Sequence, residues 1–105
     1  MVRINILYPI GGRFDMDYYL HTHMPRSIEL LSQGQGYCGV SVERGVGGGE
    51  PGSAPTFVAL CQYAFDTIDD FMAAFLPHAD ELKDDMVNYT DIEPVIQLSQ
   101  VEILQ

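Results

Sequence analysis

The segment Phe57-Val58-Ala59-Leu60-Cys61-Gln62-Tyr63-Ala64-Phe65 is apolar on both of its alternating faces. Phe57, Ala59, Cys61, Tyr63 and Phe65 fall on one side, and Val58, Leu60, Gln62 and Ala64 on the other. A strand of this kind needs cover on both faces, so it belongs in the middle of a sheet. The chain has 105 residues, 47% of them hydrophobic, which is enough for one domain with one core. Few elements are therefore available to provide that cover.

The remaining segments supply them. Val2, Ile4, Ile6 and Tyr8 alternate with Arg3, Asn5 and Leu7, a strand pattern closed by Pro9 and Gly11-Gly12. Asp15 stands where an N-cap would, ahead of Met16, Leu20, Met24, Ile28 and Leu31 at helical spacing. Pro25 lies inside that pattern; without an N–H it leaves the carbonyl of His21 unpaired, so a kink is expected. Gly34 and Gly36 stop the helix, and a second strand follows with Cys38, Val40 and Val42 on one face and Tyr37, Ser41 and Glu43 on the other. The stretch GVGGGEPGSAP, Gly45 to Pro55, holds no regular element. Thr67 to Asp70 spells a capping box before a stripe of Ile68, Phe71, Met72, Phe75, Leu76, Ala79, Leu82 and Met86, which Pro77 interrupts. Ile92 to Leu104 reads as a last strand.

The order is βαββαβ. It predicts a single α+β domain over residues 1–105, ferredoxin-like, with a four-stranded antiparallel sheet and two helices on one face. Nothing in one chain then covers the other face, which spans roughly 400 to 500 Å². Apolar residues on both faces of the strands make much of that area apolar, and a second copy packed face to face would bury it, so a homodimer is expected. The alternative is that Asn5, Ser41, Gln62, Gln97 and Ser99 all align on the open face.

Charge and cysteines narrow the partners. Five basic residues against fifteen acidic ones give a net charge of −10, which repels nucleic acid and anionic membrane surfaces. The basic residues (Arg3, Arg13, Arg26, Arg44, Lys83) are scattered and form no stripe. Cys38 and Cys61 are too few for a disulfide framework, so reduced thiols are expected. With no signal-peptide pattern and no apolar run near 20 residues, a cytoplasmic location is the expectation. His21 and His23, two apart on a helix, point about 200° away from each other, which discourages a shared metal ion. The glycine loop lacks the Lys-Ser/Thr ending and the following helix of a phosphate cradle. Asp80, Glu81, Asp84 and Asp85 read as a solvated helix face.

Several strings coincide with one family. Tyr8-Pro9 closes the first strand, Phe14-Asp15 precedes Tyr18-Tyr19-Leu20 and His23-Met24-Pro25, and Asn88-Tyr89-Thr90-Asp91-Ile92-Glu93-Pro94-Val95-Ile96-Gln97 stands near the end. Together they resemble the EthD family, named for a protein of ethyl tert-butyl ether degradation. The resemblance implies the dimeric α+β barrel fold and kinship with small isomerases, cofactor-free monooxygenases and cyclases acting on organic molecules. It singles out His23, whose counterpart on the helix of isomerase-like relatives is implicated in proton transfer, a role suited to an imidazole. Tyr19, one turn earlier, shares its flank. Beside a proline, the same histidine is alternatively a cap for the freed carbonyl of His21. Cys61 is a candidate nucleophile or base facing His23, or else an inert buried thiol. Asn5, Tyr8 and Gln97 are candidates to line the barrel and orient a substrate carbonyl, or to satisfy one another across a dimer contact. No cofactor or metal motif is visible. The expected function is a cofactor-free isomerase, cyclase or monooxygenase acting on a small, largely apolar organic ligand. A non-catalytic accessory or carrier for a partner oxygenase is the alternative.

Overall fold

In the computed structural model, which describes residues 1–105, four strands alternate with two helical stretches: β1 (Val2–Pro9), α1 (residues 16–31), β2 (Tyr37–Arg44), β3 (Phe57–Phe65), α2 (residues 68–88) and β4 (Val95–Gln100). The strands form one antiparallel sheet in the order β2-β3-β1-β4. The doubly apolar strand β3 lies inside the sheet, flanked by β1 and β2 as its pattern requires. Register sorts the side chains. Val2, Ile4, Ile6 and Tyr8 of β1 stand opposite Phe65, Tyr63, Cys61 and Ala59 of β3. These rows meet the helices, and Ile4, Tyr8, Ala59, Cys61, Tyr63 and Phe65 are buried with Tyr19, Met24, Leu31, Phe71, Leu82 and Tyr89 in one core.

The helix starts follow their caps. The Asp15 carboxylate accepts from the Tyr18 N–H at 3.1 Å, and Thr67 Oγ1 accepts from the Asp70 N–H at 3.0 Å. Both prolines leave local marks. Ahead of Pro25, residues Tyr19–His23 form a π turn between the α-helical pieces Met16–Tyr18 and Met24–Leu31. The expected kink thus takes the form of a widened turn, a feature frequent at functional sites. Around Pro77, α2 tightens into a 3₁₀ turn, Leu76–His78, between Ile68–Phe75 and Ala79–Asp84, and ends in a second, Asp85–Asn88.

Four expectations need correction. β4 ends at Gln100 and not at Leu104, because its partner β1 runs out: Val2 pairs with Gln100, and the Val101 N–H reaches the Met1 carbonyl. Ile103 and Leu104 beyond it are 82% and 63% exposed. A bulge at Cys38 shifts the start of β2, turning Tyr37 onto Phe65 (ring centroids 5.6 Å apart) and leaving Cys38 exposed against Asp66. On α2, Ile68, Met72 and Leu76 lie on the exposed flank, while Phe71 and Leu82 point into the core.

The fourth concerns the open sheet face. Asn5, Ser41, Gln62, Gln97 and Ser99 do all align on it, since Asn5 pairs with both Gln62 and Gln97, Ser41 pairs with Gln62, and Ser99 pairs with Arg3. Asn5, itself buried, donates through Nδ2 to the Gln97 carbonyl (3.0 Å) and Ser99 Oγ (2.9 Å), and accepts from Gln62 Nε2 (2.9 Å). Leu7, Leu60 and Val95 share that face, so it is mixed and not uniformly apolar.

A buried pair ties α1 to the sheet: Ser27 Oγ and Tyr63 OH are 2.6 Å apart, both excluded from water. Ser27→Ala should cost about 1–3 kcal/mol in urea denaturation by stranding the Tyr63 hydroxyl, and adding Tyr63→Phe should recover most of it. Additive losses in the double variant would show that the pair is not coupled.

Candidate functional site

The π turn of α1 carries Tyr19 and His23 on one side, with their rings stacked at 5.7 Å and 13°. Tyr19 packs edge-on against Tyr8, next to the Pro9 end of β1. The segment closing α2 approaches from the other side and supplies Asp85, Asn88 and Tyr89. An isolated bridge between Phe14 and Thr90 and the Asp15 N–H to Tyr89 carbonyl bond (2.7 Å) pin this segment to the start of α1. The result is a cluster of Tyr8, Phe14, Tyr19, His23 and Tyr89 with ring centroids 4.6 to 6.1 Å apart in the contacting pairs.

A line of polar contacts runs through these rings. His23 Nδ1 lies 2.8 Å from Asp85 Oδ2, and His23 Nε2 lies 3.5 Å from the Tyr89 hydroxyl, which is 2.8 Å from the Tyr8 hydroxyl. Asp85 Oδ1 also accepts from Tyr18 OH (2.7 Å) and Asn88 Nδ2 (2.9 Å). His23 is 8% exposed, at the floor of a groove of about 450 Å³ between α1 and α2. Tyr18, Thr22, Arg26, Glu81, Leu82, Asp84, Asp85 and Asn88 complete its walls, so the lining is chiefly polar. Arg26 closes one side through ion pairs to Glu81 and Glu29.

Electrostatics divides the cluster. Burial pushes the Tyr8 phenol up to about 12 and the Cys61 thiol up to about 12, against the opposing effect of Tyr89 on the first and Tyr19 on the second. Burial also holds Tyr19 and Tyr89 well above the ordinary phenol range. These groups stay protonated at neutral pH. Burial would raise the Asp85 carboxyl too, but the donors Asn88, Tyr18 and His23 outweigh it and bring it below its ordinary value, so it is charged.

The residues singled out from the sequence separate across the sheet. His23, Tyr19, Tyr8 and Cys61 lie together on the helix side, whereas Asn5 and Gln97 lie on the open face. Asn5 Nδ2 donates to the Gln97 backbone carbonyl within one chain, while the exposed Gln97 side chain reaches Ser99 Oγ at 3.4 Å. Cys61 is completely buried, and its sulfur does not face the imidazole nitrogens, which Asp85 and Tyr89 occupy. His23 does not cap His21, whose own ring sits 3.7 Å from Asp17. Asp85 does not belong to a solvated acidic face: its side chain is 27% exposed and holds the imidazole. Sequence reasoning missed Asp85 because it is one of four acids on that stretch. Tyr18, Asn88 and Tyr89 were visible only as parts of longer strings.

The EthD domain profile matches residues 12–93. A crystal structure of an EthD-like protein from Ralstonia eutropha JMP134 is 39% identical, with a TM-score of 0.90 over 99% of this chain and 94% of that one. An ethyl tert-butyl ether (EthD) family protein from Bacillus halodurans C-125 shares the fold at 18% identity, with a TM-score of 0.72 over 96% and 98%. A proposed monooxygenase from Shewanella loihica PV-4 does so at 12% identity, with a TM-score of 0.56 over 98% and 95%. No curated protein matches the chain.

Because Asp85 titrates lower folded than unfolded, its contribution to stability is complete above its ordinary value of 3.8 and fades as pH falls through the lowered folded value. The stability difference between the native chain and Asp85→Asn should therefore shrink as pH falls below about 3.8 in denaturation series across pH. A difference independent of pH would deny the carboxylate this role.

Proposed function

The chain belongs to the EthD family, and we propose that it is a small-molecule enzyme in which His23 moves a proton to or from an organic compound bound in the groove between α1 and α2. One observation carries this reading: an imidazole held at 2.8 Å by a charged carboxylate lies at the floor of a groove of about 450 Å³. That combination of a positioned base and an adjoining concave site is what general acid–base catalysis requires. The reaction is of the isomerisation, cyclisation or oxygenation kind and uses no bound cofactor. Tyr18, Thr22 and Asn88 line the groove with hydroxyl and amide groups, so the compound carries a carbonyl or hydroxyl beside its apolar part. Tyr19 holds the imidazole by stacking. Cys61 packs in the core beside Tyr19, while Asn5 braces the other face of the sheet through the Gln97 backbone carbonyl.

The protein acts in the cytoplasm as a homodimer, the second sheet layered on the open face, where Leu7, Leu60 and Val95 flank the Asn5 network. No helix is long and apolar enough to cross a membrane. A second reading, a non-catalytic accessory or carrier for a partner oxygenase, draws on the fact that both nitrogens of His23 are already engaged within the chain.

His23→Ala separates the two readings. An enzyme should lose about 10²- to 10⁴-fold in turnover while binding its compound nearly as before; a carrier should deliver ligand to the oxygenase unchanged. Sedimentation of the native chain should give a dimer at micromolar concentration, and a monomer there would remove the two-layer assembly.

A further inference from the structure

The direction of every hydrogen bond around His23 follows from one charge. Asp85 is a carboxylate, which only accepts, and its oxygens are approached by Tyr18 OH, Asn88 Nδ2 and His23 Nδ1. Nδ1 must then carry the proton, and in the neutral ring Nε2 presents a lone pair. The polar group facing it is the Tyr89 hydroxyl, at 3.5 Å, which must donate. Having spent its single proton there, Tyr89 accepts from Tyr8 at 2.8 Å.

We propose that Asp85 sets the tautomer of His23 and that Tyr8 and Tyr89 form a one-directional hydrogen-bond line ending on its Nε2. All three are then positioning residues for the imidazole. The use of this line in turnover rests on the acid–base reading given above; the line itself does not.

Its consequence is a two-state coupling. When the imidazole gains a proton at Nε2, that nitrogen becomes a donor to the Tyr89 oxygen. Tyr89 keeps its own proton and turns it toward the Tyr8 oxygen, and the Tyr8 proton, displaced from Tyr89, becomes free to point elsewhere. No phenol ionises in either state, consistent with the raised pKa values of Tyr8 and Tyr89. The ionisable groups around the imidazole come from both helices: Asp85 and Tyr89 from the α2 end and Tyr19 from its own helix pack on the ring, and Arg26, Glu81 and Asp84 line the groove it opens to. Tyr18 and Tyr8 sit one partner further out. A charge change at His23 is thereby read at the end of β1, on the far side of the ring cluster. Tyr8 makes no hydrogen bond to His23, so only a connected line gives it influence on Nε2.

Nitrogen-15 NMR of the imidazole in ligand-free protein tests this. In the native chain, at a pH where the imidazole is neutral, His23 should show a single tautomer protonated at Nδ1. Asp85→Asn, whose amide both donates and accepts, should replace it with a mixture of both tautomers. Tyr8→Phe, which keeps the buried ring, should move the Nε2 resonance although the substituted group does not touch it, and Tyr89→Phe should move it further. A native tautomer protonated at Nε2, or an Nε2 signal unmoved by Tyr8→Phe in a chain whose other amide resonances are unchanged, would overturn the proposal. Should a variant fail to fold, the native chain still decides: slowly exchanging Tyr8 and Tyr89 hydroxyl protons are expected, the Tyr89 one in contact with the His23 ring and the Tyr8 one in contact with Tyr89, and their absence counts against the line. None of these readouts needs a substrate, so absent turnover would remove the enzymatic reading and leave this one standing.

Discussion

Two helices lying on one face of a four-stranded sheet divide each strand into residues that meet a helix and residues that do not. Everything else in the molecule is arranged around that division. On the helix side, the rows from β1 and β3 close over the apolar faces of α1 and α2, and burial there removes enough apolar area from water to hold a small domain together. On the other side, Asn5 sits at the centre with each of its side-chain atoms engaged. A buried amide left unpaired would be costly, and this one is fully satisfied within the chain.

The ring cluster joins the two helices to the end of the sheet, and its composition limits what it does. Phenols and a thiol buried this deeply keep their protons, so they act by shape and by directed hydrogen bonds and not as charged nucleophiles. The charge resides at Asp85, where three donors outweigh the effect of burial. Pro25 contributes indirectly. A helix interior cannot keep its regular bonding ahead of a proline, and the widened turn that results is the one carrying Tyr19 and His23.

Much of this was legible beforehand. The double-sided apolar pattern of β3, the caps at Asp15 and Thr67 and the two proline interruptions each correspond to a feature of the fold. His23 and Tyr19 were legible through their strings. Less legible was anything set by what a segment pairs with. Val101, Ile103 and Leu104 continue a strand pattern but have no β1 residues left to bond. Cys38 alternates correctly in sequence, yet a bulge turns it outward. Asp85 is indistinguishable in sequence from Asp84, its neighbour in the same groove wall.

Alternation and helical spacing are local properties, recorded within a few residues, and by themselves they determined the element order, the position of β3 inside the sheet and the presence of two interrupted helices. Which face of each strand the helices cover, where β4 stops, and which of several acids meets the imidazole depend on contacts between segments far apart in the chain, from 36 residues for Ser27 and Tyr63 to 92 for Asn5 and Gln97. His23 and Asp85 are separated by 62 positions and by an entire strand pair. No local pattern encodes such a distance; it exists only once the sheet has brought the ends of α1 and α2 together.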